Sequence, residues 1–181
     1  MAKKSQVRFN LSGLQVLQTS LRKLTDSGDH VQVGIFGDKT TRKKGGITNA
    51  EVGFIHEMGS VTRNIPRRSF LWDTLNEHGN ELMTALKADA LTLFKSGKTP
   101  QFLHRVGGEA ENLVQMAFDT GGFGKWALLS YKTLMRKAKG GFLRRAQQAA
   151  EDIYEGGHNV AMLVKTGQLR RAVASRVVKG T

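Results

Sequence analysis

The adjacent pair His56 and Glu57 comes closer to a catalytic motif than any other part of this 181-residue chain. A zinc-protease helix needs a second histidine one turn beyond the first, because both imidazoles must reach the same ion. Ser60 occupies that position. The five histidines are widely scattered and the chain has no cysteine. We therefore expect no metal site and no thiol nucleophile.

Two glycine-containing stretches resemble phosphate-binding loops only in part. Residues 34–39 read Gly-Ile-Phe-Gly-Asp-Lys and lack the Gly-Lys-Ser/Thr ending that such a loop requires. Residues 97–99 have that ending and open a predicted helix, but Thr92 stands where the upstream glycine is needed. We therefore expect no nucleotide cofactor. The sequence also has no Gly-x-Ser-x-Gly elbow, so no motif predicts an enzyme.

Charge is the strongest signal in the composition. The chain carries 28 Lys and Arg against 15 Asp and Glu, a net charge of +13 that attracts polyanions. We identify eight candidate contacts to DNA or to a neighbouring protein: Lys39, Arg42, Lys43, Lys44, Arg67, Arg68, Arg170 and Arg171. Because aromatic residues are not interleaved with the basic clusters, the expected contact is with phosphates and is independent of base sequence. The alternative is an ordinary solvated surface.

Apolar and polar side chains alternate in three stretches, residues 7–11, 30–36 and 173–179, and this period of two predicts strands. With the helices described next, they indicate an α+β chain, in which a small antiparallel sheet packs against two long helices and glycine-rich flexible loops join the elements. The length and an apolar content of 39% suit one domain over residues 1–181. Flanking glycine pairs predict a mobile insertion at 139–160.

Apolar residues at helical spacing predict a helix over 12–27, a short helix over 48–59 and two long helices over 71–93 and 99–117. The short helix begins with a Thr-x-x-Glu capping box. The second long helix begins with a Thr-Pro pair, as N-cap and first helical residue. Gly79 lies on the apolar stripe of the first long helix, where we expect it to permit close packing.

A short structural motif lies near the end of the sequence. Thr166 is placed to cap a helical turn, and Gly167 to bend the backbone just before that turn. Leu169 and Val173 are four residues apart and therefore share one face. The motif offers apolar anchors and an exposed arginine pair, and it contains no reactive group.

Five segments, taken in order, resemble the virion morphogenesis and tail completion family of tailed bacteriophages. They are 50–60 (Ala-Glu-Val-Gly-Phe-Ile-His-Glu-Met-Gly-Ser), 65–71 (Ile-Pro-Arg-Arg-Ser-Phe-Leu), 97–99 (Gly-Lys-Thr), 126–137 (with Trp126, Leu129, Ser130, Thr133 and Lys137) and 163–170 (ending in Thr-Gly-Gln-Leu-Arg). The chain departs from the family pattern twice. The segment 140–161 is longer than expected, and Ala127-Leu128 replaces a proline-rich loop.

The resemblance implies a structural protein of the phage neck, not an enzyme, that acts in head-tail joining or tail completion. It implies a ring around the DNA path, with a hexamer as the expected state, and contacts with adjacent connector and tail proteins. The protein would be made in the host cytoplasm and end in the virion at the head-tail interface, without cofactor or membrane contact. Its basic loops would face DNA or an acidic connector surface.

Two other functions stay open at this point. The first is a basic protein that binds nucleic acid by itself without sequence preference. The second is a hydrolase that uses His56 and Glu57.

Overall fold

The fold is α+β, as predicted, and the described part is mostly helical. The computed structural model describes residues 12–37, 46–96, 98–129, 163 and 167–180. In chain order its elements are α1 (Ser12–Ser27), β1 (His30–Ile35), α2 (Asn49–Met58), α3 (Trp72–Ala85), α4 (Lys87–Lys95), α5 (Thr99–Thr120), the short α6 (Gln168–Ala172) and β2 (Val173–Val178). The described residues thus form six helices and a single two-stranded sheet.

The two strands pair in antiparallel register, with His30 opposite Val178 and Ile35 opposite Val173. Both predicted strands at these positions are confirmed, whereas the predicted strand over 7–11 lies outside the described residues. The sheet packs against α5, and α3 packs on α5 instead of on the sheet. Of the two long helices predicted to lie against the sheet, the described contacts place the second, α5, on it. Helix α1 leads into β1 through a tight turn at Gly28 (φ +64°).

The predicted long helix over 71–93 is two helices, α3 and α4, separated at Leu86. Leu86 has φ −83° and ψ −3°, and its side chain is buried beside Phe94 and Phe102. The bend lets α4 contact both α1 and α5. Because the leucine spacing continues through Leu86 without a glycine or proline, the sequence carries no break signal here.

Two further helix details differ from prediction. Thr99 is the first residue of α5 and the N-cap is Lys98, which provides no side-chain cap. A Cβ on Gly79 would meet no atom within 4 Å, so this glycine does not serve close packing. The predicted end of α1 is confirmed, because the Ser27 hydroxyl accepts a hydrogen bond from the Asp29 N–H at 3.2 Å.

The core has two clusters, both built on α5. The larger contains Val114, Ala117 and Phe118 of α5 with residues from the rest of the fold: Phe70, Trp126, Leu169 and Val173. Its rings form a chain in which Phe118 lies 5.0 Å from Phe70 and 6.0 Å from Trp126, measured between ring centroids. The smaller cluster joins Leu86, Phe94 and Phe102. Tilted and edge-on rings of this kind add to the stabilisation from apolar burial.

The glycine-rich turn after α5 is ordered by hydrogen bonds, although the sequence predicts a flexible loop there. Gly121 ends α5 in the left-handed conformation, and Gly122 donates its N–H to the Ala117 carbonyl at 2.7 Å. A Cβ on Gly122 would lie only 2.1 Å from Trp126 Nε1, so this position requires glycine. The turn places the Trp126 ring in the core. The predicted insertion at 139–160 lies outside the described residues.

Candidate functional site

The candidate site is the segment that connects α2 to α3, because most segments of the family resemblance meet there. Helix α2 begins with the predicted capping box. Thr48 donates its N–H to the Glu51 carboxylate at 2.7 Å, and its hydroxyl accepts the Glu51 N–H at 3.1 Å. The helix ends at Gly59, with φ +75°. A Cβ on Gly59 would lie 2.9 Å from the Arg67 nitrogen, so the connection passes too close for any other residue.

The Glu57 carboxylate caps the N-terminus of α3. It accepts backbone N–H bonds from Phe70 at 3.1 Å, Leu71 at 3.2 Å and Trp72 at 2.9 Å. The Ser69 hydroxyl donates a fourth, short bond to the same carboxylate. The first N–H groups of a helix have no partner inside the helix and carry partial positive charge, which a carboxylate offsets. Glu57 therefore fixes the direction in which α3 leaves the connection.

Two successive arginines hold the connection from opposite sides. Arg67 forms a two-point ion pair with Asp73, with N–O distances of 2.6 and 2.7 Å. Arg68 is only 5% exposed and donates to the carbonyl of Ala127 at 3.1 and 2.8 Å and to that of Leu128 at 3.3 Å. A buried guanidinium that binds carbonyl oxygens fixes backbone, because it presents several donors in one plane.

The electrostatics agree with these contacts. The hydrogen bonds from Arg67 lower the pKa of Asp73, and the same pair raises the pKa of Arg67. Burial lowers the pKa of Arg68. Burial also lowers the pKa of His56, with the positive charge of Arg68 acting in the same direction. His56 is therefore held in its neutral form beside a buried cation.

The described parts of four of the five segments that carry the resemblance meet at this connection. Gly53 of α2 lets the backbone approach Phe70 and Leu169, since its Cβ would lie 3.4 and 3.5 Å from their side chains. Trp126 donates its indole N–H to the Ser69 carbonyl at 3.2 Å. Segments 50–60, 65–71, 126–129 and 167–170 thus share one framework, which we call the Glu57 framework. It comprises Glu57, Arg68, Ser69, Phe70, Trp126 and Leu169.

A tight hairpin projects from the framework at residues 60–65. Ser60 and Ile65 exchange N–H bonds to each other's carbonyl, both at 2.8 Å. Asn64 closes the turn with φ +50° and donates to the Val61 carbonyl at 3.0 Å. Val61 at the tip is 99% exposed. The hairpin is held rigidly by its own backbone and presents an apolar side chain to solvent.

Four large apolar side chains between α2 and the start of α3 are mostly exposed. We call Phe54, Met58, Val61 and Trp72 the outer apolar residues. Phe54 and Met58 are one turn apart on α2 and so share a face. Met58 and Val61 line the same surface depression, of about 420 Å³. Trp72 is 70% exposed even though its own backbone N–H binds Glu57.

The His56-Glu57 pair does not form a metal centre with the residues around it. All hydrogen bonds found at the Glu57 oxygens come from the connection to α3. His56 Nδ1 is buried and has no hydrogen-bond partner among the described residues, and the His56 carbonyl accepts the Arg68 N–H at 2.7 Å. Across the ranges that the structure describes, no three His, Asp or Glu residues are grouped to hold a metal.

The C-terminal motif is also used for packing. Leu169 and Val173 are buried in the larger core cluster, as their shared face predicts. The N-cap of α6 is Gly167 in the left-handed conformation, while Thr166, the predicted cap, lies outside the described residues. Arg170 pairs with Asp119 at 2.5 and 2.7 Å.

The eight predicted contact residues fall into two groups. Lys39, Arg42, Lys43 and Lys44 lie outside the described residues. The other four are placed: Arg67 and Arg170 are in ion pairs, Arg68 is buried, and Arg171 is exposed. Contact with DNA or a neighbour stays a prediction for all eight.

Most of the net positive charge belongs to residues that the structure does not describe. The described residues carry 14 Lys and Arg against 11 Asp and Glu, so +10 of the net +13 belongs to the remaining segments.

Sequence reasoning gave no role to two polar residues, Ser69 of the framework and Asp119 at the end of α5. Ser69 receives the Asp73 N–H at 2.9 Å, and a serine just ahead of an apolar helix is a cap signal that could have identified it. Asp119, the partner of Arg170, lies 51 residues before it in the sequence, and no local pattern links the two.

No protein-family model, curated protein or solved structure matches this chain. Within the described part, no helix has the length and apolarity to cross a bilayer.

Proposed function

We propose that the chain is a structural protein of the bacteriophage neck, acting in head-tail joining or tail completion as a ring around the DNA path. The observation that supports this most strongly is the Glu57 framework, where the described parts of four of the five segments of the resemblance meet. Their polar groups bind backbone carbonyl and N–H groups of the chain itself. Such an arrangement positions surfaces for assembly.

The outer apolar residues support contact with a neighbouring protein. Exposed apolar clusters on a stable scaffold are typical of protein interfaces, and tryptophan is enriched among the residues that dominate binding energy. Trp72 and Val61 are held by the framework and the hairpin, so little conformational entropy is lost when a neighbour covers them. We propose adjacent copies and connector or tail proteins as these neighbours.

A nonsense allele of the gene in its phage genome tests this function. The lysate should contain separate heads and tails, or heads with unfinished necks, in electron micrographs. Supplying the wild-type chain in trans should restore joined particles, and supplying Glu57→Ala should not, because the start of α3 loses its cap. Complete virions at wild-type titre from the nonsense allele would exclude a role in the neck.

A second candidate is a basic protein that binds nucleic acid without sequence preference, and the strand register favours it. Because Ile35 lies opposite Val173, the chain enters residues 38–45 at the same end of the sheet where Arg171 precedes β2. Arg176 adds a cation 4.2 Å from the Phe36 ring centroid on the nearby sheet surface.

Duplex DNA binding measured against salt concentration separates the two candidates. The nucleic-acid function predicts that replacing Lys43 and Lys44 by alanine lowers the slope of log affinity against log salt by about 2, near one unit per lost phosphate contact. Arg105→Ala is the matched control, since Arg105 is not among the eight predicted contacts and its guanidinium already pairs with Asp89. No binding at low salt would exclude this candidate.

A further inference from the structure

The two strands of the sheet differ in what covers their outer edges. Ser175 of β2 donates its N–H to the Glu111 carboxylate at 2.5 Å, so this N–H points away from β1. In an antiparallel pair, residues alternate between facing the partner strand and facing outward. Val33, which lies opposite Ser175, therefore directs its own N–H and carbonyl away from β2. Because this direction alternates along a strand, the N–H and carbonyl groups of Val31 and Ile35 also point away from β2.

The outer edge of β1 lacks a covering group in the part of the chain that the structure describes. No described side chain or backbone group bonds the outward N–H of Val31 or Val33. The six residues of β1, His-Val-Gln-Val-Gly-Ile, include no proline and no Lys, Arg, Asp or Glu. Natural edge strands are normally protected by such residues or by a cover. An unprotected edge of this length is a template for another strand.

One predicted strand, over residues 7–11, lies outside the described residues. Its apolar residues Val7, Phe9 and Leu11 alternate with polar ones, and its five residues are one fewer than the six of β1. No residue separates Leu11 from Ser12, where α1 begins. A strand that turns back onto a following helix usually needs a connection of about 2–6 residues. The same chain therefore has no linker with which to lay this segment on its own β1 edge.

We propose that the outer edge of β1 accepts residues 7–11 of a second copy of this chain, which adds a strand to the sheet. The donor would supply backbone N–H and carbonyl groups to Val31 and Val33, and alternate apolar side chains would face the α5 side. Such a contact joins two different surfaces, so it can repeat from copy to copy around a ring. This inference rests on the proposed function for the statement that copies of the chain meet.

The test compares Val33→Pro with Val33→Ala in the full chain by sedimentation velocity. Both variants lose the valine packing, but only proline removes the outward N–H, and it leaves the β1-β2 ladder bonds intact. Val33→Pro should weaken self-association by at least about tenfold relative to Val33→Ala, because one backbone bond is lost and the ring obstructs the incoming strand. Circular dichroism should show equal helix content in the two variants.

Mixing two variants then identifies the donor as another copy. Val33→Pro keeps a sound donor segment, and Phe9→Asp keeps a sound β1 edge, so each should be monomeric alone and a one-to-one mixture should form dimers. Phe9→Leu is the control for the donor and should assemble like wild type. Equal assembly of Val33→Pro and Val33→Ala, no dimer on mixing, or a monomeric wild-type chain would each overturn the inference. Complete virions from the nonsense allele would overturn the neck function and leave this contact standing.

Discussion

The stretch from Phe54 to Asp73 has an inner side, whose residues are buried or hydrogen-bonded, and an outer side, whose apolar residues are exposed. On the inner side, Glu57, Arg68 and Phe70 are engaged by hydrogen bonds or by the core. On the outer side, Val61 and Trp72 are exposed although both are apolar. Folding alone explains the inner side. Folding leaves the outer side exposed, and under the proposed function a neighbouring protein would cover it.

The largest expected effect compares Phe70→Ala with Trp72→Ala, two residues apart. Phe70 contacts Phe118 in the core, so its loss should lower the free energy of unfolding by about 3–5 kcal/mol. Trp72→Ala should change it by less than about 0.5 kcal/mol, because the side chain is mostly exposed. Urea unfolding followed by circular dichroism measures both. Equal losses of stability in the two variants would show that the inner and outer sides of this stretch do not differ in their contribution to folding.

The second comparison is between two glutamates of α2. Glu57→Gln should lower the free energy of unfolding by about 2–3 kcal/mol, because a neutral amide replaces a charge that three backbone N–H groups share. Glu51→Gln removes the charge from an exposed capping box and should cost clearly less. Thermal unfolding of the two variants, compared with wild type, measures both losses of stability. A larger loss at Glu51 would mean that the Glu57 cap does not hold α3.

The same inner and outer distinction applies to the adjacent glycines in the middle of α5. A Cβ on Gly107 would lie 2.6 Å from Ser175 Oγ, whereas one on Gly108 would meet nothing within 4 Å. Gly107→Ala should therefore lower the free energy of unfolding by about 1–2 kcal/mol through overpacking. Gly108→Ala should raise it by about 0.5–1 kcal/mol through helix propensity. Denaturant midpoints of the pair test the packing of the sheet on α5.

The smallest expected effect concerns pH. The lowered pKa of His56 means that the unfolded chain binds more protons than the folded chain below about pH 6.5. The stability that neutral His56 provides is therefore complete above that pH and is lost as pH falls toward the folded pKa. His56→Gln should make the melting temperature depend less on pH between pH 7 and pH 5 than it does in the exposed control His104→Gln. An unchanged slope would show that His56 titrates as in water.

Local signals in the sequence identify most elements, and contacts distant in sequence account for the errors. The capping box at Thr48, the turn after Ser27 and the two paired strands depend on neighbouring residues, and the structure confirms them. The break at Leu86 is not local, because it depends on how α4 reaches α1 and α5. The same holds for the ordered turn after α5, which is fixed by Trp126.

The sequence identifies the segments that form the candidate site, but it does not show which groups their charged side chains bind. The sequence singles out His56-Glu57 and the Arg67-Arg68 pair as charged groups that would face a substrate, DNA or a neighbour. The structure shows that Glu57 and Arg68 bind the backbone of the chain itself. Spacing cannot distinguish a charge that faces solvent from one that holds a connection, because both occur in polar stretches between helices.

The most direct measurement is complementation of the nonsense allele by single variants, with electron micrographs of the lysates. Trp72→Ala, which should fold like wild type, is expected to leave heads and tails unjoined because the outer contact is lost. Met83→Ala removes another exposed apolar side chain, on α3, and should restore joined virions. Joined virions in wild-type numbers from Trp72→Ala would contradict the claim that the outer apolar residues contact a neighbour in the neck.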